Sequence, residues 1–122
     1  MDNIHGMKSP EEIITLMMNK DAFSNWMNIR VNSISKGSCS LVCKVKEDML
    51  NGFSIAHGGI TYSLADSTLA FAANSYGFHS FSIETSISHL VKVKKNDTLT
   101  SVSKEIHRGK KTGLYHIEIY NQ

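Results

Sequence analysis

Between Phe53 and Phe78 the chain has no Lys, Arg or Glu, and Asp66 is the only carboxylate. His57 is the only other side chain there that titrates near neutrality. The span from His57 to about Tyr76 has the length of a helix of about five turns, and Gly77 is a natural stop for it. Ile60, Leu64, Phe71 and several alanines make the span apolar nearly all round, the pattern of a buried helix. An uncompensated buried charge costs several kcal/mol even after relaxation. Asp66 is therefore either hydrogen-bonded to a neighbouring strand or kept for chemistry.

His57-Gly58-Gly59 falls where this helix begins. Helix N-termini carry free backbone N–H groups and a partial positive charge, and glycine lets a ligand approach the backbone closely. Such an end suits an oxygen that gains negative charge during a reaction, or it is only a loose entry into the helix. Gly58 and Asp66 are eight residues apart, roughly 12 Å along a helix. Both cannot touch one reacting carbon within a single chain. If both are catalytic, Asp66 of one subunit faces Gly58 of another, and the protein is at least a dimer.

The flanks read as antiparallel strands. Residues 38–46 alternate, with Cys39, Leu41, Cys43 and Val45 on one face. The segment from Met27 to Ile34 is the expected hairpin partner, with Lys36-Gly37 in the turn. A long alternation through Phe81, Ile83, Ile87, Val91 and Val93 predicts another strand, ended by Asn96-Asp97. A further strand passes through Leu99, Val102 and Ile106. A last one alternates Tyr115, Ile117 and Ile119 against His116, Glu118 and Tyr120. Ser9-Pro10-Glu11-Glu12 marks the start of a short helix over about 9–20, with Ser9 as N-cap and Glu12 completing a capping box. Five strands and one long buried helix give an α+β class, a sheet wrapped around a helix, in a single domain over 1–122.

With 122 residues, a net charge of +2 and no apolar run of membrane length, the chain makes no case for nucleic acid or a membrane. No leader-like segment stands at the N-terminus, so the cytoplasm is the expected location. Cys39 and Cys43 are about 13 Å apart along a strand, beyond the roughly 7 Å that a disulfide spans, and read as reduced thiols. Two thiols alone make no metal site. Lys92, Lys94 and Lys95 form one basic cluster; His107, Arg108, Lys110 and Lys111 form another. Each is either a solvated strand end or part of a polyanion site.

Asn51-Gly52, His57-Gly58-Gly59, Leu64-Ala65-Asp66, Ala73-Asn74-Ser75 and Gly77 stand in the order and spacing of the phenylacetate-degradation (PaaI-type) hotdog thioesterases. Gly109-Lys110-Lys111-Thr112-Gly113, followed by Tyr115-His116-Ile117-Glu118-Ile119, also resembles that family, and the likeness runs from about Asp21 to Gln122. The resemblance implies a hotdog fold, a homodimer or homotetramer with sites between subunits, and hydrolysis of an acyl-CoA carrying an aromatic or medium-chain acyl group. No metal or cofactor is implied, because coenzyme A is part of the substrate. Asp66 matches the catalytic carboxylate, as nucleophile or as the base that activates water. Gly58 matches the backbone donor to the thioester carbonyl, Asn51 a polar positioning residue, and His57 the motif histidine in an orienting role. Gly59 and Ser82 would line the substrate. Lys92, Lys94, Arg108, Lys110 and Lys111 are candidates for the phosphates of coenzyme A. Relatives usually add a strand after the one that ends here at Tyr120, so an open sheet edge is expected. The competing readings are a non-catalytic acyl-CoA-binding module and an enoyl-thioester hydratase. The hydratase is disfavoured because no His accompanies Asp66 in the helix.

Overall fold

The computed structural model describes residues 8–122; the first seven residues of the expected domain lie outside the described residues. Helix α1 (Pro10–Lys20) begins on the expected capping box. The Glu12 N–H donates to Ser9 Oγ and the Ser9 N–H donates to Glu12 Oε1, each at 3.2 Å. A five-residue helix, α2 (Ala22–Trp26), follows on an Asp21 cap and was not foreseen. Strands β1 (Arg30–Ser35) and β2 (Ser38–Lys44) form the anticipated hairpin. Its turn residue Gly37 has φ +76°, and its N–H donates to Ser75 Oγ at 2.7 Å, tying the turn to the far end of the long helix.

That helix, α3, spans Gly58–Asn74, with His57 as N-cap and Ser75 as C-cap. Strands β3 (Thr98–Arg108) and β4 (Gly113–Tyr120) complete an antiparallel sheet in the order β1-β2-β3-β4. The core lies between the sheet and α3. Cys39, Leu41, Cys43 and Val45 of the β2 segment meet Ile60, Leu64 and Phe71 of α3, with Ile13, Met27 and Leu99 closing the sides. The expected inward face of residues 38–46 is therefore the buried one.

Two expectations need correction. Among the described residues four strands are present rather than five: residues 81–93 form no strand and pair with none. Alternation specifies which side chains share a face, not which edge they will find. Here residues of β4 and residues 80–91 both border one open groove of about 2220 Å³. The segment is held by a few tethers instead. The Ala56 N–H donates to Val93 O at 2.8 Å, Tyr62 hydrogen-bonds Thr85, and Thr61 contacts His89. Phe81, Ile83, Leu90 and Val91 are 85, 88, 89 and 74% exposed.

The expected strand through Leu99, Val102 and Ile106 is β3; it buries Leu99, Ser101 and Ser103, whereas Val102 and Ile106 are exposed. The buried serines are hydrogen-bonding groups in the core. Ser101 Oγ lies 2.6 Å from Thr68 Oγ1 of α3 and accepts from the Leu41 N–H at 3.2 Å; Ser103 Oγ accepts from the Cys39 N–H at 2.8 Å. Second, α3 is not buried all round. Ile60, Leu64, Thr68 and Phe71 face the sheet, while Tyr62, Asp66, Leu69 and Ala73 line the groove, and Asp66 is exposed.

Both cysteines are free and buried. Burial pushes the Cys39 thiol from 9.0 up to about 12. Unfolding releases this thiol to ionise near its ordinary value, so the folded state holds a proton that the unfolded state sheds. The associated stability is complete below pH 9 and is lost as pH rises toward 12. Compared with a Cys39→Ala variant, the parent should lose up to about 1.4 kcal/mol of unfolding free energy per pH unit across that window. Urea denaturation at stepped pH measures the difference, and equal slopes for the two proteins would refute the assignment.

Candidate active site

The entry to α3 is built by its own loop. Asn51 Oδ1 accepts from the N–H groups of Phe53 at 2.9 Å and Ile55 at 3.4 Å, and a bridge between Leu50 and Ala56 closes the loop. Asn51 thus spends its carbonyl oxygen on the loop, and its NH₂ group is the part left to offer a ligand. The His57 N–H donates to Met49 O at 2.9 Å. His57 Nδ1 accepts from the Gly59 N–H at 2.8 Å, so the ring itself caps the helix. An acceptor Nδ1 carries no proton, which leaves the ring proton on Nε2. A side chain on Gly59 would begin 3.1 Å from that Nδ1, so glycine gives the cap its room. Gly58 is the first helical residue and is exposed, and its N–H is one of the four that no helical carbonyl can serve. A carbonyl oxygen placed there would meet a donor backed by the positive end of the helix.

Asp66 lies two turns further on, facing the groove. Eight residues of helix place it roughly 12 Å from Gly58 along the axis. The structure therefore gathers Asn51, His57, Gly58 and Gly59 at one end of α3 and sets Asp66 apart at its middle. Ser82 borders the same groove as Asp66, on the unpaired segment, and Arg108, Lys110 and Lys111 border it from the β3–β4 turn.

The two basic clusters do not form one patch in a single chain. Lys94 sits at the turn before β3, where its N–H donates to Asp97 Oδ2 at 2.9 Å, and Arg108 ends the same strand. Eleven strand residues span roughly 35 Å. Lys92 and Lys94 are not among the groove-lining residues, and Lys95 pairs with Glu47 at 2.8 Å in an exposed contact.

Arg108 has a second task. Its guanidinium lies 3.7 Å from the centroid of the Tyr76 ring. The Tyr76 hydroxyl donates to Glu105 Oε2 at 2.6 Å, and the Tyr115 hydroxyl donates to the same oxygen at 3.1 Å. The hydrogen bond to Glu105 holds the Tyr76 phenol above its ordinary value; burial first, then Glu105, does the same for Tyr115. Both phenols thus stay protonated donors, and the knot braces the groove wall at the C-terminal end of α3. Nothing in the sequence pattern indicated this cluster, because its members come from a helix end and two strands.

The fold is that of the hotdog thioesterases. The family model "Thioesterase superfamily" matches residues 53–122. The chain is 38% identical to the acyl-coenzyme A thioesterase PaaI of Escherichia coli (strain K12) over 106 residues, 87% of this chain and 76% of that one. The solved structure of the E. coli PaaI protein from the phenylacetic acid degradation operon superposes with a TM-score of 0.90 at 35% identity, covering 93% of this chain and 82% of that one. A hypothetical thioesterase of Streptococcus pneumoniae TIGR4, solved with coenzyme A, superposes at 0.82 with 28% identity, covering 88% and 84%. The chain belongs to the thioesterase superfamily.

If His57 acts as the helix cap, His57→Ala should cost about 1 kcal/mol of stability, while His57→Asn, which also caps, should cost a few tenths at most. Chemical denaturation of the three proteins checks this; equal losses for the two variants would contradict the capping role.

Proposed function

We propose that this protein hydrolyses an acyl-CoA thioester to the free acid and coenzyme A, using Asp66 of one subunit and the Gly58 N–H of another. The observation that carries the reading is a lone exposed carboxylate in the middle of the apolar groove stripe of α3, two turns from an unserved N–H at the same helix's start. The likeness to a coenzyme A-bound thioesterase and to an acyl-CoA thioesterase supports the substrate class.

The thioester carbonyl oxygen takes a hydrogen bond from the Gly58 N–H, which strengthens as negative charge develops on it. The partner's Asp66 either removes a proton from water as the water attacks the carbonyl carbon, or attacks that carbon itself to give an anhydride that water then opens. In both cases the carbon–sulfur bond breaks, the thiolate of coenzyme A leaves, and it takes up a proton. No metal or cofactor enters. The acyl group is aromatic or medium-chain, and Ser82 and Gly59 line its path. Arg108, Lys110 and Lys111 offer phosphate contacts from one subunit, and Lys92 and Lys94 from another, since their separation prevents joint action in one chain.

Two features favour a homodimer or a dimer of dimers. The groove is larger than the roughly 300–1,000 Å³ typical of small-ligand sites. The exposed apolar strip of Phe81, Ile83, Leu90 and Val91 also needs cover. The proposal includes a cytoplasmic location.

Replacing Asp66 by Asn should lower thiol release from acyl-CoA by about two to four orders of magnitude, with the melting temperature nearly unchanged because the side chain is exposed. A panel of aromatic and aliphatic acyl-CoAs, assayed for free thiol, measures this. Full activity in the Asn variant would sink the mechanism, and binding without turnover in the parent would establish the non-catalytic binder instead. Sedimentation should show no stable, active monomer.

A further inference from the structure

We infer that His89 is a substrate-contacting residue of the thioester site, its Nε2 accepting a hydrogen bond from the amide N–H of the pantetheine arm nearest the thioester. This rests on the acyl-CoA reading above.

His89 belongs to the unpaired 81–93 segment, yet its ring is placed at the start of α3. Its Nδ1 lies 3.3 Å from Thr61 Oγ1. Thr61 Oγ1 already donates its single proton to Gly58 O, at 3.1 Å. The hydrogen between Thr61 and His89 must therefore come from the ring: Nδ1–H donates and Oγ1 accepts. In the neutral ring this leaves Nε2 as a bare acceptor. That nitrogen stands 3.4 Å from the point where a Gly58 side chain would begin, with Cε1 at 3.5 Å.

The start of α3 thus carries two histidines in opposite tautomers. His57 turns its acceptor inward to cap the helix, whereas His89 turns its acceptor toward the outer side of Gly58. The exposed Gly58 accordingly presents a backbone donor beside a side-chain acceptor, both in reach of one ligand. A thioester of coenzyme A matches this pair. Its carbonyl oxygen accepts from the Gly58 N–H, and two methylenes beyond its sulfur comes a secondary amide whose N–H needs an acceptor. Asp66, roughly 12 Å away along the helix of the same chain, plays no part in this contact. The partner's Asp66 acts at the carbonyl carbon, so probes that cannot be hydrolysed separate His89 from catalysis.

The test is a binding cycle on the intact protein. One probe is an acyl-pantetheine in which methylene replaces sulfur, so that the carbonyl is kept and hydrolysis is impossible. Its twin has an ester oxygen in place of that amide N–H. Calorimetry should show the parent binding the amide about five- to tenfold more tightly than the ester, the scale of one hydrogen bond. In His89→Ala the preference should shrink to less than about twofold. His89→Phe keeps an aromatic ring without an acceptor and should lose the preference equally, so the cycle survives if the Ala variant folds poorly. His89→Gln, which supplies a carbonyl acceptor, should keep part of it. An unchanged preference in the Ala or Phe variant would overturn the assignment, as would no preference in the parent. So would a fall in turnover with both affinities intact, which would make His89 a holder of the attacking water. Because the probes do not react, the cycle reads the same whether or not Asp66→Asn abolishes hydrolysis.

Discussion

A single sheet covers only one stripe of α3, and most of the remaining structure follows from that. Ile60, Leu64, Thr68 and Phe71 meet the sheet, so the opposite stripe must face something other than this chain's core. Asp66 sits on that second stripe and is left in the open with apolar neighbours around it. A charge in such a place avoids the desolvation it would suffer in a core, yet it stands where a second subunit and a ligand would surround it. The length of the helix supplies the other half of the constraint. Its free N-terminal donors and its carboxylate are too far apart to serve one atom, so the proposed chemistry needs a second copy of the helix.

The parts of this arrangement that were legible in the sequence are local. The capping box at Ser9 and Glu12, the inward face of Cys39, Leu41, Cys43 and Val45, the turn at Gly37 and the start of α3 at His57 each depend on residues within a few positions of one another. Asp66 stood out for a similar reason, as the lone charge in an uncharged stretch. The misses all involve partners distant in sequence. The strand through Leu99, Val102 and Ile106 was legible, but not that it buries Ser101 and Ser103, because a buried serine is tolerable only once its partners are known: Thr68 and the N–H groups of Leu41 and Cys39. Residues 81–93 alternate as a strand should, but alternation does not supply an edge to pair with. The two basic clusters looked equivalent as composition and prove to be a strand's length apart.

The unpaired 81–93 segment changes the character of the site. The segment is anchored by Tyr62–Thr85, Thr61–His89 and Ala56–Val93 contacts rather than by a strand ladder, the kind of attachment that binding elements often show. It also carries the exposed apolar strip and Ser82, so covering that strip and shaping the groove are the same event. The opposite wall, braced by Tyr76, Glu105, Tyr115 and Arg108, is the rigid one. Under the proposed function, substrate selection depends on the wall that carries the 81–93 segment.

The central claim is that each site is completed across two chains, and mixing two dead variants tests it most directly. Gly58→Pro removes the N–H while suiting the first position of a helix, and Asp66→Asn removes the carboxylate. Co-refolded in equal amounts, half of the dimers should be mixed, and one of the two sites in each should join an intact Gly58 to an intact Asp66. About one quarter of the parent's thioesterase activity should return. If each chain holds its own complete site, no mixed dimer contains a working one, and the mixture will be as inactive as its parts.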